Sequence, residues 1–340
     1  MRIDAHRGPT SDESSPEPTT PAPTLRRGAR GNEVKAAQEQ LLRAGFSLPR
    51  YGADGQFGGE TAAALARFQK TYGVPQTGRF DAATFEALAR ALPPAPDYDA
   101  LFADGVLRGV VAIGFDEVGS HEAEQADLLK GLWDRGYRNV SDAERQTLGL
   151  DDGRYVTRTF THEGREVRAV LEVITPDTEQ AKDRFATALR QRELVLYGGH
   201  GRYGSGPDFD DIRSPAGNFV IGAPFEAGHV TLGPNDLAAQ PLTRDYQLMF
   251  FDGCNTFRYL DDLRTKAKNK TTANLDVLGS TTELYWHVTA DNLLAMLDGV
   301  TSGDDVEVIK ESLDRVNRTG ADDRRRYFTA DGFEDNVRPR

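Results

Sequence analysis

Two short apolar runs, each interrupted by glycine at its end, constrain the fold of this chain more than any other feature. The runs are Leu194–Gly201 and Leu248–Thr256. Such runs are typical of strands buried on both faces of a parallel sheet, and ligands of open α/β sheets bind just beyond the carboxyl ends of the strands. The first run leads to His200 and the second to Cys254, the only cysteine of the chain. Two neighbouring strands that end in this way predict an imidazole beside a thiol.

This pair predicts nucleophilic catalysis by Cys254 with His200 as its base. The thiolate is the reactive form of cysteine, and a nearby imidazole accepts the thiol proton and stabilises the anion. The backbone N–H groups of Gly201 and Cys254 are candidate oxyanion donors, each of which contributes about 3 kcal/mol in known sites. The alternative interpretation is an inert buried cysteine and an unrelated loop histidine.

The sequence around both residues resembles the caspase-like cysteine peptidases, including metacaspases and gingipains. The matching segments are Tyr197-Gly-Gly-His-Gly201 and Phe251-Asp-Gly-Cys-Asn-Thr256. The histidine precedes the cysteine by about fifty residues, as in caspases. The resemblance implies a caspase-like α/β fold, with a mostly parallel sheet flanked by helices, and a cysteine endopeptidase that cleaves a protein or peptide without a cofactor. The alternatives are an inactive caspase-like effector or binding protein and a hydrolase of cell-wall peptides.

Two aspartates are candidate substrate-binding residues. Asp252 stands two residues before Cys254, as in metacaspases, and at the base of a cleft it would favour a cationic substrate side chain. Asp211 ends the acidic run Gly204–Asp211, which would add a longer-range attraction. Alternatively, Asp252 caps the following turn and the acidic run is a solvated loop. Three aspartates of this run have a spacing that could bind calcium, but we predict no metal site.

The segment before the catalytic-type region predicts three short helices joined by glycine turns. It resembles the peptidoglycan-binding domains of bacterial cell-wall hydrolases, which implies peptidoglycan as a partner and a ligand groove near Tyr51–Phe57 and the start of the second helix. Alternatively, these residues specify only the fold, and the ligand is a different one. The matching residues are Leu25, Arg26, Arg27, Gly28, Gly31, Val34, Gln38, Leu41, Gly45, Phe46, Asp54, Gly55, Phe57, Gly58, Thr61, Phe68, Gln69, Gly73, Thr77, Gly78, Asp81 and Thr84.

Composition along the chain predicts four segments. Residues 1–24 are rich in Pro, Ser, Thr and Glu and are expected to be disordered, because they cannot bury enough apolar surface. Residues 25–92 form the helical domain, residues 93–99 a stiff proline linker, and residues 100–340 the α/β domain. A β-hairpin is expected around residues 163–164. The tail from Asn317 onward is expected either to be weakly structured or to dock late.

Charge and hydropathy exclude several classes of protein. The net charge of −12, with no basic stripe, argues against a nucleic-acid partner. No apolar run approaches the roughly 20 residues that span a bilayer. The N-terminus lacks the apolar core of a signal peptide. We therefore leave the location open between the cell envelope, reached by a dedicated secretion route, and the cytoplasm.

Overall fold

The computed structural model describes residues 24–91, 93–116, 119–201, 206–209, 241–267, 269–320 and 323–336. These residues form a small N-terminal module (residues 24–91) and a larger α/β unit built on an eight-stranded sheet. The predictions made for residues 1–23 and for Asp211 lie outside the described residues.

The N-terminal module contains the three predicted helices: α1 (Asn32–Arg43), α2 (Gly59–Thr71) and α3 (Ala82–Arg90). A two-stranded antiparallel ribbon pairs the start of the module with the segment before α3, with β1 (Leu25–Arg26) beside β2 (Arg79–Phe80). This ribbon is too short to leave a pattern in the sequence. The aromatic side chains of the module form its core, because four phenylalanines are almost fully buried: Phe46, Phe57, Phe68 and Phe80.

Two buried glutamines hold the turns of this module in the same way. The amide nitrogen of Gln38 donates to the Thr61 hydroxyl (2.9 Å), and its amide oxygen accepts from the Gly55 N–H (2.8 Å). Closer to the C-terminal end of the module, a second glutamine forms the same two hydrogen bonds. Because each side chain uses donor and acceptor together, its burial leaves no polar group unpaired at these atoms. This second glutamine is Gln69, and the corresponding partners are Thr84 and Gly78.

The α/β unit is organised by a single twisted sheet. Its five inner strands are parallel, whereas the strands outside them, one at one edge and two at the other, are antiparallel to their neighbours. This confirms a mostly parallel sheet and the predicted hairpin. The strands in spatial order are β10 (Phe328–Asp331), β9 (Leu275–Ser280), β8 (Gln247–Asp252), β7 (Leu194–Gly198), β3 (Val106–Ile113), β6 (Arg165–Ile174), β5 (Tyr155–His162) and β4 (Arg138–Asn139).

Helices cover both faces of the sheet. One face packs against α5 (Ser120–Asp134), α9 (Thr289–Ser302) and α10 (Val306–Asn317), and the other against α7 (Ala181–Gln191) and α8 (Tyr259–Lys266). The short helices α4 (Tyr98–Leu101) and α6 (Asp142–Leu148) complete the set among the described residues. No helix in the described part of the chain is long and apolar enough to cross a membrane.

In the segment after Asn317, residues 323–336 contain a docked strand and a 3₁₀ turn, so the docking alternative describes them and the weakly structured one does not. Its strand β10 pairs with β9, and the ring of Phe328 packs against that of Phe250 at 5.5 Å. The fully buried Asp314 accepts the backbone N–H groups of Tyr327 (2.8 Å) and Phe328 (3.3 Å). Two aromatic residues within a charged tail therefore supply enough burial to fix a strand that is too short for a periodic pattern.

The segment between the N-terminal module and the α/β unit is held by contacts with both of them. The carbonyl oxygen of Pro94 accepts the Val306 N–H (2.9 Å), and that of Ala95 accepts from the Asn336 side chain (3.2 Å). On the side of the N-terminal module, a methyl group at Gly45 would collide with the Pro94 ring. The linker is therefore packed between the two parts.

A buried lysine anchors the approach to β8. The ammonium nitrogen of Lys270, a residue that is 4% exposed, donates to the carbonyl oxygens of Asp245 (2.6 Å) and Asn274 (3.2 Å). Burial lowers the pKa of Lys270 to about 7, against the attraction of Asp245. A neutral amine still has two N–H groups for the two carbonyls.

We expect this lysine to make folding stability depend on pH. Between about pH 7 and 10.5 the unfolded chain binds a proton that the folded chain has released, so stability should rise with pH by up to about 1.4 kcal/mol per unit. Urea unfolding of Lys270→Met should show a flatter rise over pH 7–9 than that of the unsubstituted protein. The exposed Lys130→Met is the control, and an unchanged slope in Lys270→Met would contradict the assignment.

Candidate active site

The carboxyl ends of three adjacent parallel strands meet at one edge of the sheet. Gly198 of β7 pairs with Asp252 of β8, and the Gly199 N–H extends this ladder to the Asp252 carbonyl (2.8 Å). Because His200 and Cys254 each follow two residues after these paired positions, the structure brings the two predicted residues to neighbouring strand ends. The third strand, β3, ends beside β7.

The loops that carry these residues touch through their backbones. A methyl group at Gly201 would collide with the carbonyl oxygen of Cys254, and one at Gly253 would collide with the carbonyl oxygen of Gly199. Glycine is therefore required at both positions for the two loops to approach so closely. The Gly201 predicted for the site lies in this contact.

The chain turns sharply directly after the cysteine. Asn255 has a φ of 55°, a left-handed conformation that asparagine tolerates better than most residues, and its N–H donates to the Thr282 carbonyl (3.0 Å). Cys254 itself is half-buried, with Sγ 3.9 Å from the carbonyl oxygen of Leu284. A 3₁₀ turn over Thr256–Arg258 follows and leads into α8, so the partial positive charge of a helix start lies close to the thiol.

Two tyrosine hydroxyl groups hold the backbone of the loop that carries His200. The Tyr197 hydroxyl donates to the His200 carbonyl (3.1 Å), and the Tyr259 hydroxyl donates to the Gly201 carbonyl (2.9 Å). Both side chains are fully buried. The loop is thus fixed by hydroxyl groups that reach it from β7 and α8, in addition to the close approach that Gly201 allows.

An aspartate that sequence reasoning missed lies beside His200. Asp116 follows β3, and its Oδ1 is 3.6 Å from His200 Nε2. The residue is 7% exposed, and its other carboxylate oxygen accepts the Ser120 N–H (2.9 Å) at the start of α5. The geometry suits a carboxylate that orients the imidazole and stabilises its charged form. No motif marks this position, and only its place after the strand next to β7 could have suggested it.

The two expected oxyanion donors are the backbone N–H groups of Gly201 and Cys254. Among the described residues, neither the N–H of Gly201 nor that of Cys254 donates a hydrogen bond to another group. Buried or half-buried backbone N–H groups are normally paired, so two neighbouring ones without an acceptor in the described part of the chain are an exception at this edge of the sheet.

The structure places Asp252 differently from the expectation of a substrate-binding residue. It is 2% exposed, and its carboxylate accepts a hydrogen bond from Asn292 Nδ2 (2.9 Å). The side-chain oxygen of Asn292 in turn accepts from Asn317 Nδ2 (2.8 Å). Burial holds the pKa of Asp252 well above its usual range, although hydrogen bonds from Asn292 and Thr289 oppose the shift. The carboxylate faces α9, because alternate residues of β8 point to opposite faces of the sheet. Asp252 thus holds the end of β8 against α9.

The acidic run between the two motifs is only partly described. Asp208 is fully buried, and its backbone N–H donates to the Tyr197 hydroxyl (2.9 Å), so it is not part of a solvated loop. Asp211 lies outside the described residues, and its substrate-binding role stays a prediction. Within the described ranges, no group of three His, Cys, Asp or Glu side chains is arranged to hold a metal ion.

Comparison with known proteins identifies the N-terminal module. Residues 30–88 match the family model described as "Putative peptidoglycan binding domain". The chain is 42% identical over 80 residues to N-acetylmuramoyl-L-alanine amidase CwlL of Bacillus licheniformis, which is 24% of this chain and 22% of the amidase. It is 45% identical over 67 residues to a probable N-acetylmuramoyl-L-alanine amidase of the same species, 20% of this chain and 19% of that protein.

Among solved structures, a peptidoglycan-binding protein from Clostridioides difficile is 39% identical to a segment that covers 20% of this chain and 42% of that protein, with a TM-score of 0.19. The chain thus matches about a fifth of the length of the two amidases. The N-terminal module is a domain of the peptidoglycan-binding type, and the match to the family model ends at residue 88, before the α/β unit.

We expect Cys254 to react as an activated thiol. Since it is the only cysteine, alkylation by iodoacetamide reports on it alone. At pH 6.5 the folded protein should react several-fold faster than the protein unfolded in urea, in which the thiol has its ordinary reactivity. His200→Ala should remove most of this difference. Equal rates in the folded and unfolded protein would show that the thiol is inert.

Proposed function

We propose that the chain is a caspase-like cysteine endopeptidase that its N-terminal module brings to peptidoglycan. The observation that carries the proposal is the convergence of Asp116, His200 and Cys254 at the ends of three adjacent parallel strands. An orienting carboxylate, a base and a nucleophile in this order are the components of a thiol-dependent acyl transfer.

Each residue has a defined role in this reaction. His200 takes the proton of Cys254, and the sulfur then forms a bond to the carbonyl carbon of the substrate as the carbonyl electron pair moves to oxygen. The N–H groups of Gly201 and Cys254 bind that oxyanion. Collapse of the intermediate breaks the C–N bond, and His200 returns its proton to the leaving amine. Water then attacks the thioester, releases the acid and restores the thiol.

Asp116 acts through His200 and does not touch the substrate. His200 becomes a charged imidazolium during each half-reaction, and a neighbouring carboxylate stabilises that charged form. The fixed carboxylate also limits the rotation of the imidazole ring. The Ser120 N–H holds this carboxylate in place at 2.9 Å. Asp252 supports the strand that carries the nucleophile, so the proposal assigns no preference for basic residues to it.

The module supplies an exposed aromatic platform for a glycan. Tyr51 is 59% exposed, and the Arg50 guanidinium lies 5.2 Å from the centre of its ring. The Glu60 carboxylate, at the start of α2, fixes this loop by accepting the backbone N–H groups of Arg50 (2.7 Å) and Tyr51 (3.1 Å). An exposed aromatic ring on a fixed loop offers a face against which a sugar can stack.

A second candidate function is hydrolysis of the peptides of the cell wall itself. The observation that favours it is that the two relatives matched over about a fifth of this chain are named N-acetylmuramoyl-L-alanine amidases. The same thiol chemistry cleaves either substrate, so the two candidates differ in substrate class and not in mechanism. An inactive effector is the third alternative, and the alkylation experiment distinguishes it from both.

The two active candidates predict different substrates. Incubation with a fluorogenic peptide library and, separately, with purified sacculi should show cleavage of the library, with sacculi releasing no new amino groups. Cys254→Ala should abolish cleavage, and Asp116→Asn should lower kcat by about tenfold or more with little change in KM. Asp142→Asn, an exposed aspartate on α6, is the matched control. Release of amino groups from sacculi alone would establish the wall-peptide hydrolase instead.

We expect wall binding to depend on Tyr51. The full chain should co-sediment with purified sacculi, and Tyr51→Ala should weaken this binding about fivefold or more, as expected from the loss of an aromatic face. The control is Tyr285→Ala, which removes another exposed tyrosine (47%) from the α/β unit. Equal sedimentation of all three proteins would place the ligand elsewhere on the module.

A further inference from the structure

The N-terminal module and the α/β unit enclose a groove of about 630 Å³. We call it the interdomain groove. One wall is the end of α1 with the loop that follows it, and the other combines α10 and β10 with the turn after Cys254. Its principal lining residues are Arg43, Leu48, Phe257, Lys310, Arg326 and Phe328.

The groove is built by fixed contacts between the two parts. Pro94 is packed against Gly45 on one side and bonded to Val306 on the other, as described above. An ion pair joins Arg67 of α2 to Glu334 near the end of the chain (3.7 Å). A cavity that needs both parts for its walls and is held by both is a typical location for a binding site.

The lining has an apolar floor and a rim with charges of both signs. Leu48 and Phe328 are buried at the floor. Of the cations on the rim, Lys310 pairs with Glu307 (2.7 Å), whereas Arg43 is exposed and forms no ion pair with any described residue. A ligand that carries both a carboxylate and an amine would match this pattern, with its carboxylate at Arg43.

The groove continues from the surface that we assign to the glycan. Pro49 lines the groove, and the next two residues are Arg50 and Tyr51 of the exposed aromatic platform. The sugars of peptidoglycan carry short peptides, and these peptides have free carboxylates and amines. A glycan that stacks on Tyr51 therefore directs such a peptide toward the groove.

The opposite wall belongs to the turn of the nucleophile. Phe257 lies three residues after Cys254, and its backbone packs so tightly on β9 that a methyl group at Gly279 would approach its nitrogen to 3.0 Å. The residue after the cysteine, Asn255, is bonded to Thr282, next to Thr281 of the groove. A ligand in the groove thus rests on the same turn that carries the thiol.

We propose that the interdomain groove binds the peptide part of a peptidoglycan strand, with Arg43 pairing to its carboxylate. The proposal rests on the proposed function, since it assumes that the N-terminal module meets peptidoglycan. It adds a second contact that is formed jointly by the module and the α/β unit.

The test is calorimetric titration of the full chain with a synthetic N-acetylmuramoyl tetrapeptide. The unsubstituted protein should bind it, Arg43→Ala should weaken binding about fivefold, and Arg43→Lys should retain most of the affinity. Arg90→Ala, an exposed arginine on α3 that does not line the groove, is the matched control. Equal affinities of Arg43→Ala and Arg90→Ala, or no binding to the unsubstituted protein, would overturn the proposal.

Sacculus sedimentation keeps this outcome separate from the proposed function. If the unsubstituted chain sediments with sacculi but does not bind the tetrapeptide, the assignment of the peptide to the interdomain groove is wrong, whereas wall binding by the module stands. If the tetrapeptide binds in an Arg43-dependent manner while sedimentation fails, the groove stands and the glycan platform at Tyr51 is wrong.

Discussion

The parallel hydrogen bonds between β7 and β8 determine where every part of the candidate site lies. Because Gly198 is opposite Asp252, the histidine and the cysteine leave the sheet at the same height, and the next residues come into backbone contact. A shift of the register by one residue would turn each side chain to the other face of the sheet. The tyrosine hydroxyls under the histidine loop, the left-handed residue after the cysteine and the glycines between the loops all act on this arrangement and do not create it.

Buried polar groups then lock the surroundings of that edge. Asp252, Asn292 and Asn317 form a chain of hydrogen bonds that links β8 to α9 and α10. Because both bonds form in only one relative placement of β8, α9 and α10, the chain favours a single packing of the two helices. In the N-terminal module, the two equivalent glutamines perform the same task for the turns.

How much the sequence predicts depends on how local the responsible signal is. The strands β7 and β8 are apparent because each is an apolar run with glycine at its end, and the helices of the module are apparent from their turns. Asp116 is not apparent, since it meets His200 only after β3 has been placed beside β7. Asp252 shows the same limit: its distance from Cys254 is local information, but the face of the sheet toward which it points is decided by tertiary packing. The strand β10 escapes detection because it owes its order to Phe328 and its contact with Phe250.

The packed linker has a mechanical consequence for the two parts that it joins. A flexible tether would let a catalytic unit sweep a volume that grows with the length of the tether, whereas bonds from Val306 and Asn336 to Pro94 and Ala95 remove that freedom. Under the proposed function, a chain held at a surface through its module would then present its cleft in one direction and at one height. Its accessible targets would be those that diffuse along the surface into that position, so geometry would select substrates before any side chain reads their sequence.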